Sequence, residues 1–464
     1  MNPLPEGLAD LAETFGRNGF RLYLVGGYVR NHLLGLGGAD RDICSKALPG
    51  EAALFLSREG YGIIEKAPEL GTIEIHARSG GRRVVFEHTT FRRDFYPEGG
   101  EHRPRGVEFT DSIEEDAARR DFTVNALYFD VQSGQILDPT KRGLKDLENR
   151  LIRAAAEDPD ITIRDDGLRI MRMARFAAEL GFGVDDSLFE CAKRRAPLIR
   201  DISSERKRDE LKKILMSDVR YPGFSPRLAP EYGLNILKDT GAIEFVLPML
   251  SEGRGVAQSE RYHKYDVLDH CIKTCAAAPA VYELRLAALL HDIGKPGALK
   301  ESGNMYGHEK TGALAAKEEL ESLKADKKTI KTVLKLVENH MFDLEGNAKP
   351  AAIRRRAVKM GKTDFELLIA LRRADCEGSG IVTGCKSADN WQRELERMQA
   401  LRMPWSEAEL EVSGNDVMRI LGTGPSEKVG MILSRLLNEC VADPSLNERA
   451  RLEKRIAALA KTLR

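Results

Sequence analysis

Two carboxylates separated by one residue, Asp40 and Asp42 in Asp-Arg-Asp-Ile, stand at period 2, so on a strand both side chains point to one face. Adjacent acids repel. Divalent cations between them relieve the repulsion, and hard oxygen ligands of this kind suit Mg²⁺. Just upstream, the apolar run Leu22-Tyr-Leu-Val25 stops at Gly26-Gly27 and passes into the helix-compatible stretch from Tyr28 to Leu34. A strand, a glycine turn and a helix start let backbone N–H groups approach an anion such as a triphosphate, with Arg30 in reach. Mg²⁺ beside a phosphate cradle implies phosphoryl or nucleotidyl transfer by a two-metal route.

Further residues extend this set. Glu87 lies in Val-Val-Phe-Glu-His-Thr-Thr-Phe, an apolar strand where an acid is costly to bury without a cation or donor, and it is the candidate third catalytic carboxylate. Asp121 is its substitute should Glu87 face away. Arg119, Arg120 and Asp121 fall at a helix-to-strand junction, placed either to face solvent or to grip phosphates. From Ile163 to Gly181, arginines recur at 169, 172 and 175. On a helix this spacing makes one basic stripe, with Asp166 one turn before Arg169. An exposed ion-pair face is one reading of that stripe. The other is base selection: cytosine and adenine offer an amino donor beside a ring-nitrogen acceptor, and an Asp next to an Arg offers the complement. Such a pair accepts C and A and rejects U and G without a nucleic-acid template.

The elements that must position these groups follow from the pattern around them. Pro5 to Gly19 carries a helical apolar face, Pro49 starts another helix, and Gly71–Ala77 with Arg83–Thr90 reads as a hairpin about a glycine pair. Phe91 to Arg105, broken by Pro97, Gly99, Gly100 and Pro104, is expected to be a mobile basic loop. Beyond Gly143, β-type periodicity fades and the chain is helical in pattern. At 464 residues it exceeds one core, and the formal net charge of +0 means that any polyanion must be met by local basic patches. Lys349 to Arg373 is one such cluster. Seven scattered cysteines without Cys-x-x-Cys spacing argue against a disulfide framework and for a reducing cytoplasm. The N-terminus lacks a basic-then-apolar leader and no apolar run reaches membrane-spanning length, so a soluble, unprocessed chain without a membrane partner is expected.

A second constellation lies downstream. His263, His270, His291-Asp292, His308, His340 and Asp375 fall on successive helical segments, and imidazole with carboxylate is a common divalent-metal set.

The Gly-Gly turn joined to Asp-x-Asp resembles the active-site signature of the DNA polymerase β nucleotidyltransferase superfamily, and more closely the class II tRNA nucleotidyltransferase and poly(A) polymerase family. The segment Arg-Arg-Asp-Phe-Thr-Val-Asn-Ala (119–126) matches a motif of that family. So does Asp165-Asp166 followed by Arg169, Arg172 and Arg175. Asp165 replaces the family's usual Glu, and Asn31 stands where Asp is usual. The resemblance implies that Asp40 and Asp42 hold two Mg²⁺, that Glu87 assists the attacking hydroxyl, and that Gly26, Gly27, Arg30 and Arg120 contact the nucleotide. Asp166 and Arg169 would select CTP and ATP, supported by Arg172 and Arg175. The order His270, His291-Asp292, Asp375 resembles the HD metal-dependent phosphohydrolase superfamily, and His308 and His340 match the extra histidines of its two-metal members. That resemblance implies a second divalent metal (Mn, Ni, Mg or Fe) and either a phosphohydrolase activity or a relic scaffold.

The expected fold is α+β: a mixed α/β head at 1–150, a helical neck at 151–215, a helical body with the HD-like region at 216–395 and a helical, tRNA-binding tail at 396–464. The expected function is addition of C, C and A from CTP and ATP to the tRNA 3′ end, with no obligatory protein partner. An A-adding enzyme or poly(A) polymerase is the alternative within the class. An HD phosphohydrolase with a vestigial head is the alternative outside it.

Overall fold

The computed structural model describes residues 4–37, 41–96, 105–381 and 383–462, so Asp40 and loop residues 97–104 lie outside the described residues. The chain divides into two compact units, Met1–Ser251 and Glu252–Arg464. The first is a mixed α/β head with a helical neck, and the second is helical.

In the first unit α1 (Leu8–Arg17) precedes β1 (Tyr23–Val25), α2 (Gly27–Leu33), β2 (Asp42–Ser45), α3 (Pro49–Arg58), β3 (Gly62–Ala67), β4 (Thr72–Ser79) and β5 (Arg82–Thr90). After these come β6 (Arg92–Phe95), β7 (Gly106–Phe109), α4 (Ile113–Ala118), β8 (Tyr128–Asp130), β9 (Ile136–Leu137) and α5 (Gly143–Glu148). Seven strands form one sheet in the order β3-β4-β5-β2-β1-β8-β9, antiparallel except for the parallel pair β2–β5. Phe15 of α1 and Phe55 of α3 meet edge to face at 5.1 Å, and Phe15 also packs on His88 of β5. Val84, Phe86 and His88 are therefore buried, while Val85 and Glu87 alternate onto the exposed face.

The expected hairpin is present as β4–β5, turning at Gly80-Gly81. The segment from Phe91 departs from the loop expected there. Phe91 is buried and β6 pairs antiparallel with β7 as a two-stranded ribbon, with an Arg92–Asp94 ion pair of 2.7 Å along β6. The prolines and glycines of the central stretch masked this, because they break the pattern only beyond residue 96.

The neck continues with β10 (Leu151–Ile152), α6 (Pro159–Asp165), α7 (Leu168–Leu180), β11 (Gly183–Val184), α8 (Asp186–Arg195) and α9 (Ser204–Leu215). The single helix expected from Ile163 to Gly181 is broken. Asp166 is extended (φ −150°, ψ 104°), and α7 starts afresh after it. Residues 216–251, grouped by sequence with the body, fold within the first unit as α10 (Ala229–Asp239), α11 (Ile243–Val246) and α12 (Pro248–Ser251). Helix α10 lies so close to α7 and α9 that a methyl on Gly233 would come within 3.1 Å of Ala178 and 2.9 Å of Ile214.

The second unit runs through α13 (Val267–Ala277), α14 (Tyr282–Leu290), α15 (Lys295–Ser302), α16 (His308–Ser322), α17 (Lys327–Asn339), α18 (Pro350–Met360), α19 (Lys362–Gly378) and α20 (Lys386–Ala400). The tail helices are α21 (Gly414–Leu421), α22 (Glu427–Ala442) and α23 (Arg449–Thr462), which share a core around Val417, Ile432, Leu436 and Ile456. Arg354 of the basic cluster is buried and bonds Glu394 and the carbonyls of Val441 and Ala442. At that position the cluster ties α18 to α20 and the end of α22 and leaves no free cation for RNA. No described helix is long and apolar enough to cross a membrane.

Candidate active site and metal centre

Strand β1 ends and β2 begins on adjacent rungs, with Tyr23 opposite Cys44 and Leu24 opposite Ile43, which brings the glycine turn beside Asp42. Gly26 adopts φ +74°, where L side chains are strained, and a Cβ there would stand 3.7 Å from Asp42 Oδ2. Asp42 is exposed, and Glu87 is its register partner in the parallel ladder, so both acids share one face of the sheet one strand apart. Two oxygen-donor groups side by side on an open face fit a hard divalent cation.

A cleft of about 800 Å³ opens here. Gly26, Gly27, Arg30, Asp42, Arg120, Asp166, Arg169, Arg172 and Arg175 all line it, which brings together most of the residues singled out by sequence; Glu87 is outside that lining. Nine basic side chains line the cleft against four acidic ones, a field suited to a triphosphate.

The basic groups differ in what holds them. Arg30 is buried and donates from Nη1 to Asn125 (2.6 Å), from Nε and Nη2 to Asn31, and from Nη2 to Tyr221 (3.1 Å). The phosphate contact expected of it does not fit this bonding; Arg30 braces α2 against Tyr221. Asn31 accepts two of those bonds through Oδ1 and so completes the brace. Arg120 reaches the cleft with Nε on Tyr128 (2.9 Å) and Nη2 on Asp116 (2.9 Å). Burial works against the Arg120 charge, but Tyr128 and Asp116 raise its pKa well above the usual value. Burial likewise opposes the Asp116 charge, and Arg120 and Arg119 overcome it, holding that carboxyl below the usual range.

The stripe of arginines is internal to the wall. Arg172 pairs with Asp121 through Nε at 2.9 Å, so Asp121 is neutralised by a guanidinium and does not serve as the substitute metal carboxylate. Arg175 donates to Glu210 of α9 at 2.6 Å and to Glu179 at 3.3 Å. Phe176 lies beneath three guanidinium groups, those of Arg30, Arg172 and Arg175, at 4.9, 5.4 and 4.0 Å from its ring centre. Arg169 is held from behind by the carbonyls of Thr162 (3.0 Å) and Arg119 (2.6 Å). Asp166 caps the first turn of α7 through the Leu168 N–H and accepts from Arg206 of α9 at 2.6 Å. Acceptor and donor therefore stand three residues apart in the cleft wall, each fixed by a different partner.

Sequence reasoning missed Asp116, Arg206, Glu210 and Tyr221. Asp116 was detectable three and four residues before Arg119 and Arg120, a spacing that faces them on a helix. Arg206 and Glu210 sat unassigned in a charged helix, and Tyr221 carried no signal. Tyr96, at the end of β6, lies in the field of Asp94, Arg169 and Asp165, and burial pushes its hydroxyl up to about 12.

In the second unit the six expected ligands converge. His270 comes from α13, His291 and Asp292 follow α14, His308 opens α16, His340 follows α17 and Asp375 lies in the last turn of α19. The turn after Asp292 lies against α16 because Gly294 lacks a side chain: a Cβ there would be 2.3 Å from the His308 carbonyl. His270, His291 and Asp375 form one trio and Asp292, His308 and His340 another. Asp292 joins them, with Oδ2 at 3.4 and 3.3 Å from His270 and His291 and Oδ1 at 3.1 and 3.5 Å from His308 and His340. His291, His308 and His340 place Nδ1 2.7 to 2.8 Å from the carbonyls of Ala288, Met305 and Val337. A carbonyl only accepts, so Nδ1 carries the hydrogen and the Nε2 lone pairs turn inward, as metal-binding imidazoles require. The Nε2 atoms of His308 and His340 are 3.1 Å apart, and two inward lone pairs at that distance need a cation or proton between them. The donor set fits divalent metal. Burial opposes the Asp292 charge, yet His291 and Lys295 hold its carboxyl well below the usual range. Lys295 Nζ is 2.5 Å from Asp292, and Arg372 Nη1 is 2.6 Å from Asp375.

Comparison with known proteins agrees with this layout. Residues 22–153 match the poly A polymerase head domain, 181–226 the family described as a probable RNA and SrmB-binding site of polymerase A, and 263–376 the HD domain. A poly A polymerase head domain followed by an HD domain is thus the domain order. The CCA-adding enzyme of Streptococcus pyogenes serotype M2 (strain MGAS10270) is 39% identical over 212 residues, 46% of this chain and 50% of that protein. The CCA-adding enzyme of Geobacillus thermodenitrificans (strain NG80-2) is 32% identical over 266 residues, 56% and 59% of the two chains. The chain spans about half the length of these curated relatives. The crystal structure of the Bacillus stearothermophilus CCA-adding enzyme in complex with CTP shares the fold, with TM-score 0.68 and 24% identity over 98% of this chain and 97% of that one. The Thermotoga maritima CCA-adding enzyme complexed with tRNA gives 0.62 and 17% over 97% and 94%. Residues 22–153 thus carry a poly A polymerase-type head and residues 263–376 an HD domain, and the chain is similar to CCA-adding enzymes over about half of its length.

Proposed function

We propose that this protein is a template-independent tRNA nucleotidyltransferase that adds CMP, CMP and AMP to the tRNA 3′ end. The observation that carries this reading is the single cleft in which Gly26-Gly27, Asp42 and the Asp166/Arg169 pair meet. Relatives named CCA-adding enzymes, and a shared fold with enzymes solved with CTP and with tRNA, support it.

Asp42 on β2, with Asp40 two residues before it, would hold Mg²⁺, which when bound supplies neutralisation of the triphosphate and acidification of the 3′-hydroxyl. The Gly26-Gly27 backbone receives the phosphates, and Arg120, anchored on Asp116 and Tyr128, faces their charge. Glu87 assists the attacking hydroxyl from the neighbouring strand. The 3′-oxygen attacks the α-phosphorus, the bond to the bridging oxygen breaks and pyrophosphate leaves. Asp166 accepts the amino hydrogen of cytosine or adenine while Arg169 donates to the adjacent ring nitrogen. Arg206 and the two carbonyls behind Arg169 keep that pair from turning.

Incubation with tRNA lacking its 3′ end, Mg²⁺ and each labelled NTP in turn tests the reading. Stepwise incorporation of C, C and A followed by arrest is expected. Addition of A alone would mark an A-adding enzyme, and extended A tracts a poly(A) polymerase.

The histidine cluster favours a second reading of the other unit, as a divalent-metal centre of the HD kind able to act on phosphate esters. Phosphate release from nucleotides by the Asp40→Ala protein, lost on Asp292→Ala, would separate that activity from the head.

A further inference from the structure

The side-chain amide of Asn31 can face only one way. Its Oδ1 lies 3.1 Å from Arg30 Nε and 2.8 Å from Arg30 Nη2, while its Nδ2 lies 3.3 Å from the Gly37 carbonyl oxygen and 3.2 Å from the Tyr221 hydroxyl. A guanidinium only donates and a carbonyl only accepts, so the amide oxygen sits on the Arg30 side and the amide hydrogens on the side of Gly37 and Tyr221. The Tyr221 oxygen therefore accepts from Asn31. It also accepts from Arg30 Nη2 at 3.1 Å, because that group has only hydrogens to offer. Both lone pairs of the phenol oxygen are taken, and its own hydrogen is the one unused direction. Among the described residues that hydrogen has no acceptor. Tyr221 is only 6% exposed, yet it lines the head cleft together with Gly26, Gly27, Arg30 and Asp42. A hydroxyl so deeply set is costly to leave without an acceptor.

The surroundings select the kind of acceptor. Arg30 is buried, and the oxygens that hold it, on Asn31, Asn125 and Tyr221, are all neutral. Asn125 donates its Nδ2 to Asp121 at 3.1 Å, so its orientation is fixed in the same way as that of Asn31. The Arg30 charge thus reaches the phenol oxygen directly, and a cation bonded there strengthens the O–H as a donor. With basic side chains in excess around the cleft, the acceptor that fits is an anionic oxygen.

We propose that Tyr221 is a substrate-binding residue whose hydroxyl, turned outward by Asn31 and Arg30, donates to a phosphate oxygen of the nucleotide or of the RNA strand. An aspartate at position 31 would reverse the arrangement. A carboxylate has no hydrogen to give, so the tyrosine would donate inward to it and present nothing to the cleft. Asn31 is thus a positioning residue that sets the direction of a hydrogen on another side chain. The identity of the substrate rests on the transferase reading, whereas the direction of the hydroxyl does not.

Steady-state addition to tRNA by the full-length wild-type, Tyr221→Phe, Asn31→Asp and doubly substituted proteins tests the proposal, with CTP varied at saturating tRNA and tRNA varied at saturating CTP. Tyr221→Phe removes the donor and keeps the ring. The KM for one of the two substrates should rise by about 10- to 100-fold, with kcat within about threefold. A raised KM for CTP assigns the phosphate to the nucleotide, and a raised KM for tRNA assigns it to the RNA backbone. Asn31→Asp should raise the same KM, and Tyr221→Phe added to it should raise it no further. A tyrosine that only braces the fold would lower thermal stability and kcat and leave both KM values unchanged, which overturns the proposal. Additive effects in the double variant also overturn it, because an added negative charge alone leaves the contribution of the hydroxyl intact. Tyr221→Phe decides by itself should Asn31→Asp not fold. A wild-type protein that binds CTP and tRNA but adds no nucleotide sinks the transferase reading, and its dissociation constants against those of Tyr221→Phe still decide the hydroxyl.

Discussion

The two candidate centres of this chain use the same kinds of side chain for opposite ends. In the head cleft Asp42 is exposed and basic side chains outnumber acidic ones, with Arg120, Arg172 and Arg206 each held by a carboxylate. In the helical unit His270, His291, Asp292, His308 and His340 are 3% exposed or less, and their donor atoms face each other at 3.1 to 3.5 Å. An open space of hundreds of cubic ångströms with excess positive charge receives a large anion. A closed set of inward lone pairs receives only a small cation. The difference teaches that charge density alone does not define a site; what matters is which group is left with an unsatisfied direction, and how much room lies in front of it.

Substitutions can break this contrast. The largest expected effect is in the head: Asp42→Ala should lower nucleotide addition by roughly 10³-fold or more, read by single-turnover incorporation, while Mn²⁺ binding by the other unit is unchanged. The converse change, Asp292→Ala, should abolish stoichiometric metal in the purified protein by elemental analysis and leave nucleotide addition within about twofold. Were Asp292→Ala to stop incorporation, the separation of the two centres would be wrong.

Smaller effects sharpen the account of the cleft wall. Asp166→Ala should reduce discrimination of CTP and ATP over UTP and GTP by about 10- to 100-fold, and Arg206→Ala should reduce it less because Asp166 keeps its bond to the Leu168 N–H. Asp116→Ala leaves Arg119 and Arg120 without their shared carboxylate and should cost about 3 to 5 kcal/mol of stability, read by denaturant unfolding. The least of the expected effects is on pH. The Asp116 carboxyl is depressed in the folded state, so its stabilisation is complete above the unfolded value of about 4 and is lost as pH falls through the lower folded value. Asp116→Asn should flatten the acid limb of the unfolding curve measured below about pH 4.

Much of this was legible in the chain because local pattern and chemistry agreed. The strand, glycine turn and helix at 22–34 and the hairpin at 72–90 depend on nearest neighbours in sequence, and they fold as their patterns dictate. The six metal-ligand candidates were legible because His and Asp on successive helices have few other reasons to coincide. What failed depended on distant partners. Arg30 looked like a phosphate contact until Asn125 and Tyr221, residues remote in sequence, supplied its acceptors. The arginine stripe allowed either an exposed ion-pair face or base selection, and it took Glu210 and Asp121, remote in sequence, to draw Arg175 and Arg172 inward. The break at Asp166 falls at an Asp-Gly pair, a turn signal outweighed by the helical spacing around it, and the capping bond to Leu168 fixes where the helix restarts.

The shared carboxylate at Asp292 has a consequence for how this chain can change over time. Each oxygen serves one trio, so drift that erodes either set strands a charged, desolvated acid in the interior and penalises folding itself. Intermediate sequences that keep half the centre are the ones selection removes first. Descendants of this chain should therefore carry all six groups or have replaced the whole nest with apolar side chains.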